Sequence, residues 1–149
     1  MRIAIGSDHR GFTLKGRLVE MLGGMGHEVT DVGADSAESS DYPDYAAAVA
    51  RQVSRGEADR GVLVCGSSIG MCIAANKFPG VRAGTCNDEL TAEISRRHND
   101  LNVLCLSGDV LGQRDVEPLL RTWLDTAFEG GRHARRVDKI TAIEKELAG

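Results

Sequence analysis

Cys65 closes the short apolar run Gly61-Val-Leu-Val64 and precedes a turn of small residues, Gly66-Ser-Ser-Ile-Gly70. The run is rich in β-branched residues and predicts a buried strand, and the segment from Ile69 to about Asn76 predicts a helix. A thiol at the carboxyl end of a parallel strand, facing a helix amino terminus, lies where open α/β sheets bind ligands. The helix dipole and the free N–H groups of Gly66 to Gly70 favour negative charge there, either a bound oxyanion or the thiolate of Cys65. A free thiol titrates near 8.5, and such a setting lowers it by roughly one to several units. The expected chemistry is that of a thiolate, as base or as nucleophile. A phosphatase loop, C-x₅-R, needs arginine at position 71, and the chain has Met71. The first turn, Gly6-Ser-Asp-His-Arg-Gly11, is not a dinucleotide fingerprint either, since that motif needs glycine where Asp8 stands.

Alternating strand and helix signals supply the frame for these residues. Strands are predicted at Ile3–Gly6, Glu28–Val32, Gly61–Val64, Val81–Cys86 and Val103–Leu106. Helices are predicted at Thr13–Met25, Tyr42–Arg55, Ile69–Asn76, Glu89–Arg97 and Val116–Phe128, with a charged terminal helix at about 136–147. Strands separated by helices of this length imply one α/β domain over residues 1–149, a three-layer α/β/α sandwich with a five-stranded parallel sheet, Rossmann-like. Right-handed crossovers put every strand-to-helix loop on one edge of that sheet. This edge is expected to gather Gly6–Gly11, the Cys65 turn, His98-Asn99-Asp100 and Ser107-Gly108-Asp109.

Composition narrows the function. The formal net charge is −4 and only 4% of residues are aromatic, which argues against a nucleic-acid surface or stacking platform. No apolar run approaches a membrane span, so a cytoplasmic location is expected. Cys65, Cys72, Cys86 and Cys105 form no C-x-x-C pair and lie in or beside apolar segments, as reduced thiols of that compartment would. The four histidines are not spaced with them as zinc ligands.

Six motifs in order carry a family resemblance: Ser7-Asp-His-Arg-Gly-Phe12, Asp41-Tyr-Pro43, Cys65-Gly-Ser-Ser-Ile-Gly70, Ala74-Ala-Asn-Lys77, Arg97-His-Asn-Asp-Leu-Asn-Val-Leu104 and Glu129-Gly-Gly-Arg-His-Ala-Arg-Arg-Val137. Together they resemble the type B ribose-5-phosphate isomerases, a family that also holds allose- and galactose-6-phosphate isomerases. The resemblance implies an aldose–ketose isomerase without metal or cofactor. It further implies a homodimer with active sites built from both subunits, sometimes paired into a tetramer, and a terminal helix packed on the partner. By the same match Cys65 is the base that moves a proton between C2 and C1 through an enediolate. One branch of the family uses a glutamate six residues later instead, where this chain has Met71. Asp8 and His98 match the positions for ring opening. Ser67, Asn99 and the backbone of Gly66, Ser68, Ile69 and Gly70 match those facing the reacting oxygens, and Tyr42 lines the sugar.

Phosphate anchoring falls, by match, to Arg132 and Arg136, with His9 close by. Guanidinium forks suit phosphate oxygens. Basic residues crowded at a helix start oppose its dipole unless an anion offsets them. One residue departs from the pattern. The sugar-phosphate isomerases usually carry an arginine at the position of Asp109, and an aspartate repels phosphate. The preferred sugar is therefore open between ribose 5-phosphate and a hexose 6-phosphate, and a non-catalytic flavodoxin-like binding module is the reading from another class.

Overall fold

A computed structural model describes residues Met1–Gly149. Apolar residues alternate in its strands and fill both faces of one sheet, which is why helices cover it on both sides. The chain runs β1 (Arg2–Ser7), α1 (Phe12–Gly24), β2 (Glu28–Asp31), α2 (Tyr42–Ser54), β3 (Arg60–Cys65), α3 (Ile69–Ala75), β4 (Ala83–Thr85), α4 (Glu89–Asn99), β5 (Val103–Ser107), α5 (Gly108–Leu111), α6 (Glu117–Asp125) and α7 (Arg132–Leu147). The five strands are parallel, in the order β2-β1-β3-β5-β4. The expected three-layer sandwich is what the chain forms.

The period of two along each strand divides the core. Ile3, Ile5, Val62, Val64, Leu104 and Leu106 face a layer made by α1, α4 and α6, with Leu18, Leu120 and Trp123 fully buried there. Ala4, Leu63, Cys65, Val103 and Cys105 face the other layer, against Val49 and Met71 of α2 and α3. Each fully buried aliphatic side chain contributes about 1.5–3 kcal/mol relative to exposure. Cys65 thus points toward α3, the helix its own turn leads into.

Several boundaries differ from expectation, each for a local reason. The helix α5 is a single turn, too short to show periodicity, and is capped by Ser107 Oγ accepting from the Val110 N–H at 3.1 Å. The terminal helix starts at Arg132 rather than near residue 136, so the basic residues occupy its first turn and do not precede it. Strand β4 is only three residues because it is an edge, paired with β5 alone. No helix is long and apolar enough to cross a membrane.

Two contacts fix the loops nearest Cys65. A Cβ at Gly11 would lie 2.4 Å from the Val64 carbonyl oxygen, so the loop after β1 crosses the end of β3 at a distance only glycine permits. The buried Lys15 ammonium donates to both Asp31 oxygens, at 2.8 and 3.0 Å, and to the Ala34 carbonyl at 2.5 Å. Helix α1 is thereby tied to the end of β2.

Candidate active site

At the carboxyl edge of the sheet, Cys65 ends β3 with its sulfur turned under the start of α3. The Ser68 N–H donates to Sγ at 3.2 Å, and the N–H groups of Met71 and Ser67 also face it. Ser68 adopts a left-handed conformation, φ 70°, although it is not glycine, and is fully buried with its hydroxyl 3.1 Å from Thr85 Oγ1. A strained residue held so tightly marks a turn whose shape is over-determined, as functional turns often are.

Asp8 reaches the same place from β1. Its Oδ1 accepts from the N–H groups of Arg10 and Gly11 at 3.0 and 3.1 Å, which leaves Oδ2 free of the loop. His9 Nδ1 accepts from the Ser40 N–H at 3.2 Å, so its Nε2 is unused. The Tyr42 ring packs over Gly70, where a Cβ would come within 2.4 Å of Cζ. Ser67 Oγ accepts from the Ile69 N–H at 3.3 Å, which consumes one of the expected oxyanion donors. The Ser68 N–H is engaged by the thiol. The Gly66 and Gly70 N–H groups are the ones left for a substrate oxygen. Asp8, His9, Tyr42 and Cys65 with Gly66–Gly70 therefore form one cluster.

The thiol does not titrate as the helix argument expected. Burial pushes Cys65 above its ordinary range, outweighing the N–H groups of Met71, Ser68 and Ser67, and the nearby Asp8 charge pushes the same way. Cys72 behaves oppositely: a hydrogen bond with Cys105, aided by Thr85 and Asn76, lowers it to about 6, while Cys105 is pushed well up. Iodoacetamide at pH 7 is accordingly expected to label Cys72 before Cys65, as read by peptide mass mapping. The labelling rate of Cys65 should still be rising at pH 9, because a raised pKa leaves little thiolate below it. Faster labelling of Cys65 at pH 7 would contradict this ordering.

The remaining expected site residues lie elsewhere. His98 and Asn99 end α4, a helix that leads into a strand, and so sit at the amino-terminal edge of the sheet. The Asn99 carbonyl accepts from Arg82 Nε at 3.2 Å, just before β4, and Gly61 at the start of β3 donates to the Asn102 carbonyl at 2.9 Å. At about 3.3 Å per residue, a five-residue strand separates the two edges by roughly 16 Å. His98 does not share an edge with Cys65 as expected, because helix-to-strand connections fall opposite strand-to-helix ones.

His98 instead joins the basic start of α7. Its ring stacks on His133 with centroids 4.1 Å apart and planes 8° from parallel. His133 is buried, lies 3.2 Å from Glu129 Oε2, and is held below the ordinary imidazole range by burial and then by His98 and Arg132. Arg97 Nη2 lies 2.5 Å from Glu129 Oε1, and Arg132 starts α7 with Arg136 one turn on, on the same face. His98, Glu129 and His133 bring three ligand-type atoms within 4.8 Å. The surrounding arginines suit an anion better than a cation.

Two features carry more weight than the sequence suggested. Asp109 is not an unpaired charge: its carboxylate is ion-paired with Arg10, and its N–H donates to the Gly66 carbonyl at 3.2 Å. The arginine in Asp8-His-Arg-Gly11 was the available signal. A concavity of about 860 Å³ lies not at Cys65 but between β4, α4 and α7, lined by Val81, Ile94, Leu101, Ile140, Ile143 and Leu147 among others. Ile69 and Ile73 of α3, Leu90 of α4 and Ile140, Ile143 and Leu147 of α7 are exposed. These side chains leave an apolar patch on the surface beside the concavity, larger than the scattered single apolar residues of an ordinary surface.

Known proteins match this arrangement along its length. The family model described as Ribose/Galactose Isomerase matches residues 3–140. Ribose-5-phosphate isomerase B of Escherichia coli (strain K12) is 48% identical over 144 residues, 97% of each chain. D-erythrulose-4-phosphate isomerase of Pectobacterium atrosepticum is 39% identical over 147 residues, 98% of this chain and 97% of its own. The solved structure of Clostridium thermocellum ribose-5-phosphate isomerase B superposes with a TM-score of 0.96 at 48% identity, covering 99% of both chains. The chain belongs to the ribose/galactose isomerase family.

Proposed function

We propose that this chain interconverts ribose 5-phosphate and ribulose 5-phosphate by proton transfer through an enediolate, with Cys65 as the base. The observation that carries this reading is the Cys65 sulfur, turned under three backbone N–H groups at the end of β3 with a carboxylate beside it, in a member of an isomerase family. The reaction needs a base poised between C2 and C1 and donors for the enediolate oxygen. A positioned base contributes about 10²–10⁴ in rate, and one oxyanion donor is worth about 3 kcal/mol. The Gly66 and Gly70 N–H groups and Ser67 supply donors, Tyr42 covers the sugar, and Asp8 with its free Oδ2 serves ring opening.

The other half of the machinery comes from a second copy. His98, Asn99, Arg132 and Arg136 cannot reach Cys65 across the sheet within one chain, so a partner brings its own set to the carboxyl edge. The partner's His98 then assists ring opening, its Asn99 meets the enediolate oxygens, and its Arg132 and Arg136 take the phosphate with His9. The apolar groove and the stripes of α3, α4 and α7 are the surface that joins the two copies, so α7 of the single domain docks on the partner. The four free thiols fit a reducing cytoplasm.

A panel of ribose 5-phosphate, allose 6-phosphate, galactose 6-phosphate and erythrulose 4-phosphate tests the substrate. The expected result is a kcat/KM for ribose 5-phosphate at least about tenfold above the rest, a discrimination of 1.4 kcal/mol. A hexose phosphate in first place would reassign the substrate, and turnover of none would leave a binding module.

A further inference from the structure

The Cys65–Gly70 turn is bracketed by two side chains. Tyr42 covers Gly70 at one end. At the other, the Arg10 guanidinium lies over Gly66, where a Cβ would come within 2.9 Å of both Cζ and Nε. The absence of a side chain at each glycine is what lets these groups lie on the turn. The backbone of Arg10 is held as well: its N–H donates to Asp8 Oδ1 at 3.0 Å, and its carbonyl oxygen packs where a Cβ at Gly108 would stand, 2.8 Å away.

The fork is used on one side only. Nη2 pairs with Asp109 Oδ2, while Nε and Nη1 have no partner in the protein. Both side chains are about half exposed, 57% for Arg10 and 48% for Asp109. A guanidinium pinned by a carboxylate, with its remaining donors open above a ligand-binding turn, is an anion donor already held in place. The Cys65 sulfur, by contrast, faces Ser68 and Met71, toward the Gly70 end.

We propose that Arg10 binds the phosphate of the substrate, with Asp109 as the residue that positions it. This rests on the isomerase reading above and adds a direction to it. The sugar phosphate lies along the turn with its phosphate over Gly66, near Arg10 and His9, and its reacting carbons toward Gly70 and Tyr42. Arg10 is then the in-chain cation that meets the partner's Arg132 and Arg136 around one phosphate. Asp109 gives orientation at the cost of one opposing charge.

Calorimetric titration of inorganic phosphate into the full-length protein tests this without relying on turnover. Arg10→Val, with Arg10→Gln as a second variant, should weaken phosphate about tenfold or more and raise KM for ribose 5-phosphate in step. Moving the charge, as Arg10→Val with Asp109→Arg, should restore most of the lost phosphate affinity. Asp109→Asn keeps an acceptor for the fork but removes the opposing charge, and should bind phosphate at least as tightly as the parent. A purely structural surface pair would change melting temperature alone. Phosphate affinity unchanged in both Arg10 variants, or weakened by Asp109→Asn, would overturn the assignment. If the parent protein fails to isomerise ribose 5-phosphate, the proposed reaction falls, and the phosphate titration still decides the role of Arg10.

Discussion

Cys65→Ala is expected to lower kcat for ribose 5-phosphate by about 10³-fold or more, in line with loss of a positioned base and of the thiolate that only this residue supplies. Cys65→Ser should fare little better, because a hydroxyl in the same place holds its proton far more tightly than a thiol. Binding should survive both changes, since the groups that would hold the sugar phosphate are Tyr42, His9, Arg10 and the partner's arginines. Calorimetry with ribose 5-phosphate is expected to give a Kd within a few-fold of the parent. The same account sets the pH dependence. Burial raises the thiol, so little thiolate exists at neutral pH in the unliganded chain. The base is active when deprotonated, and kcat/KM should therefore climb with pH and still be climbing at pH 8. A profile already flat from pH 6 would mean that docking of the partner lowers the thiol.

Breaking the apolar face should be as damaging as removing the thiol. Ile140 and Ile143 are 51% and 57% exposed on α7 beside the groove. A charge at either position would have to be desolvated against an apolar partner, and an unpaired buried charge costs several kcal/mol. Ile143→Asp, alone or with Ile140→Asp, is expected to give a monomer by sedimentation, with turnover reduced at least about 10³-fold and the fold intact by circular dichroism. A mixing experiment separates shared sites from mere stabilisation. Cys65→Ala and His98→Ala proteins, each nearly inactive, should recover activity when their subunits exchange. In a two-fold dimer, random pairing makes half the dimers mixed, and each mixed dimer has one intact site of two, about a quarter of the parent activity. No recovery after proven exchange would mean that each site takes Cys65 and His98 from the same chain, which would overturn the shared site.

The strands and their order of appearance were legible because each apolar run is short, bounded by glycine or polar residues, and separated by a helix-length segment. Cys65 stood out for the same reason, as a thiol between a buried strand and a turn of small residues. The position of His98 was not legible in the same way. Its motif leads into a strand, and in a parallel sheet such a connection returns to the far edge, so closeness along the edge had to yield to topology. The electrostatics of Cys65 also needed coordinates. Sequence shows a helix start, but not that the sulfur sits in one apolar cluster with Met71, Ala75 and Cys105, buried deeply enough to outweigh it. Arg10 and Asp109 are ninety-nine positions apart, and no local pattern signals that they meet. That Ile69, Ile73, Ile140 and Ile143 stand exposed also needed coordinates, because spacing alone does not separate a buried helix face from an exposed one.

Proton transfer at C2 is the centre of the account, and proton NMR in D₂O observes it directly. With ribose 5-phosphate and the parent protein, the C2 proton signal should disappear as ribulose 5-phosphate accumulates. With Cys65→Ala it should persist for at least about a thousand times longer. Loss of that signal at the parent rate in the Cys65→Ala protein would contradict the assignment of Cys65 as the base.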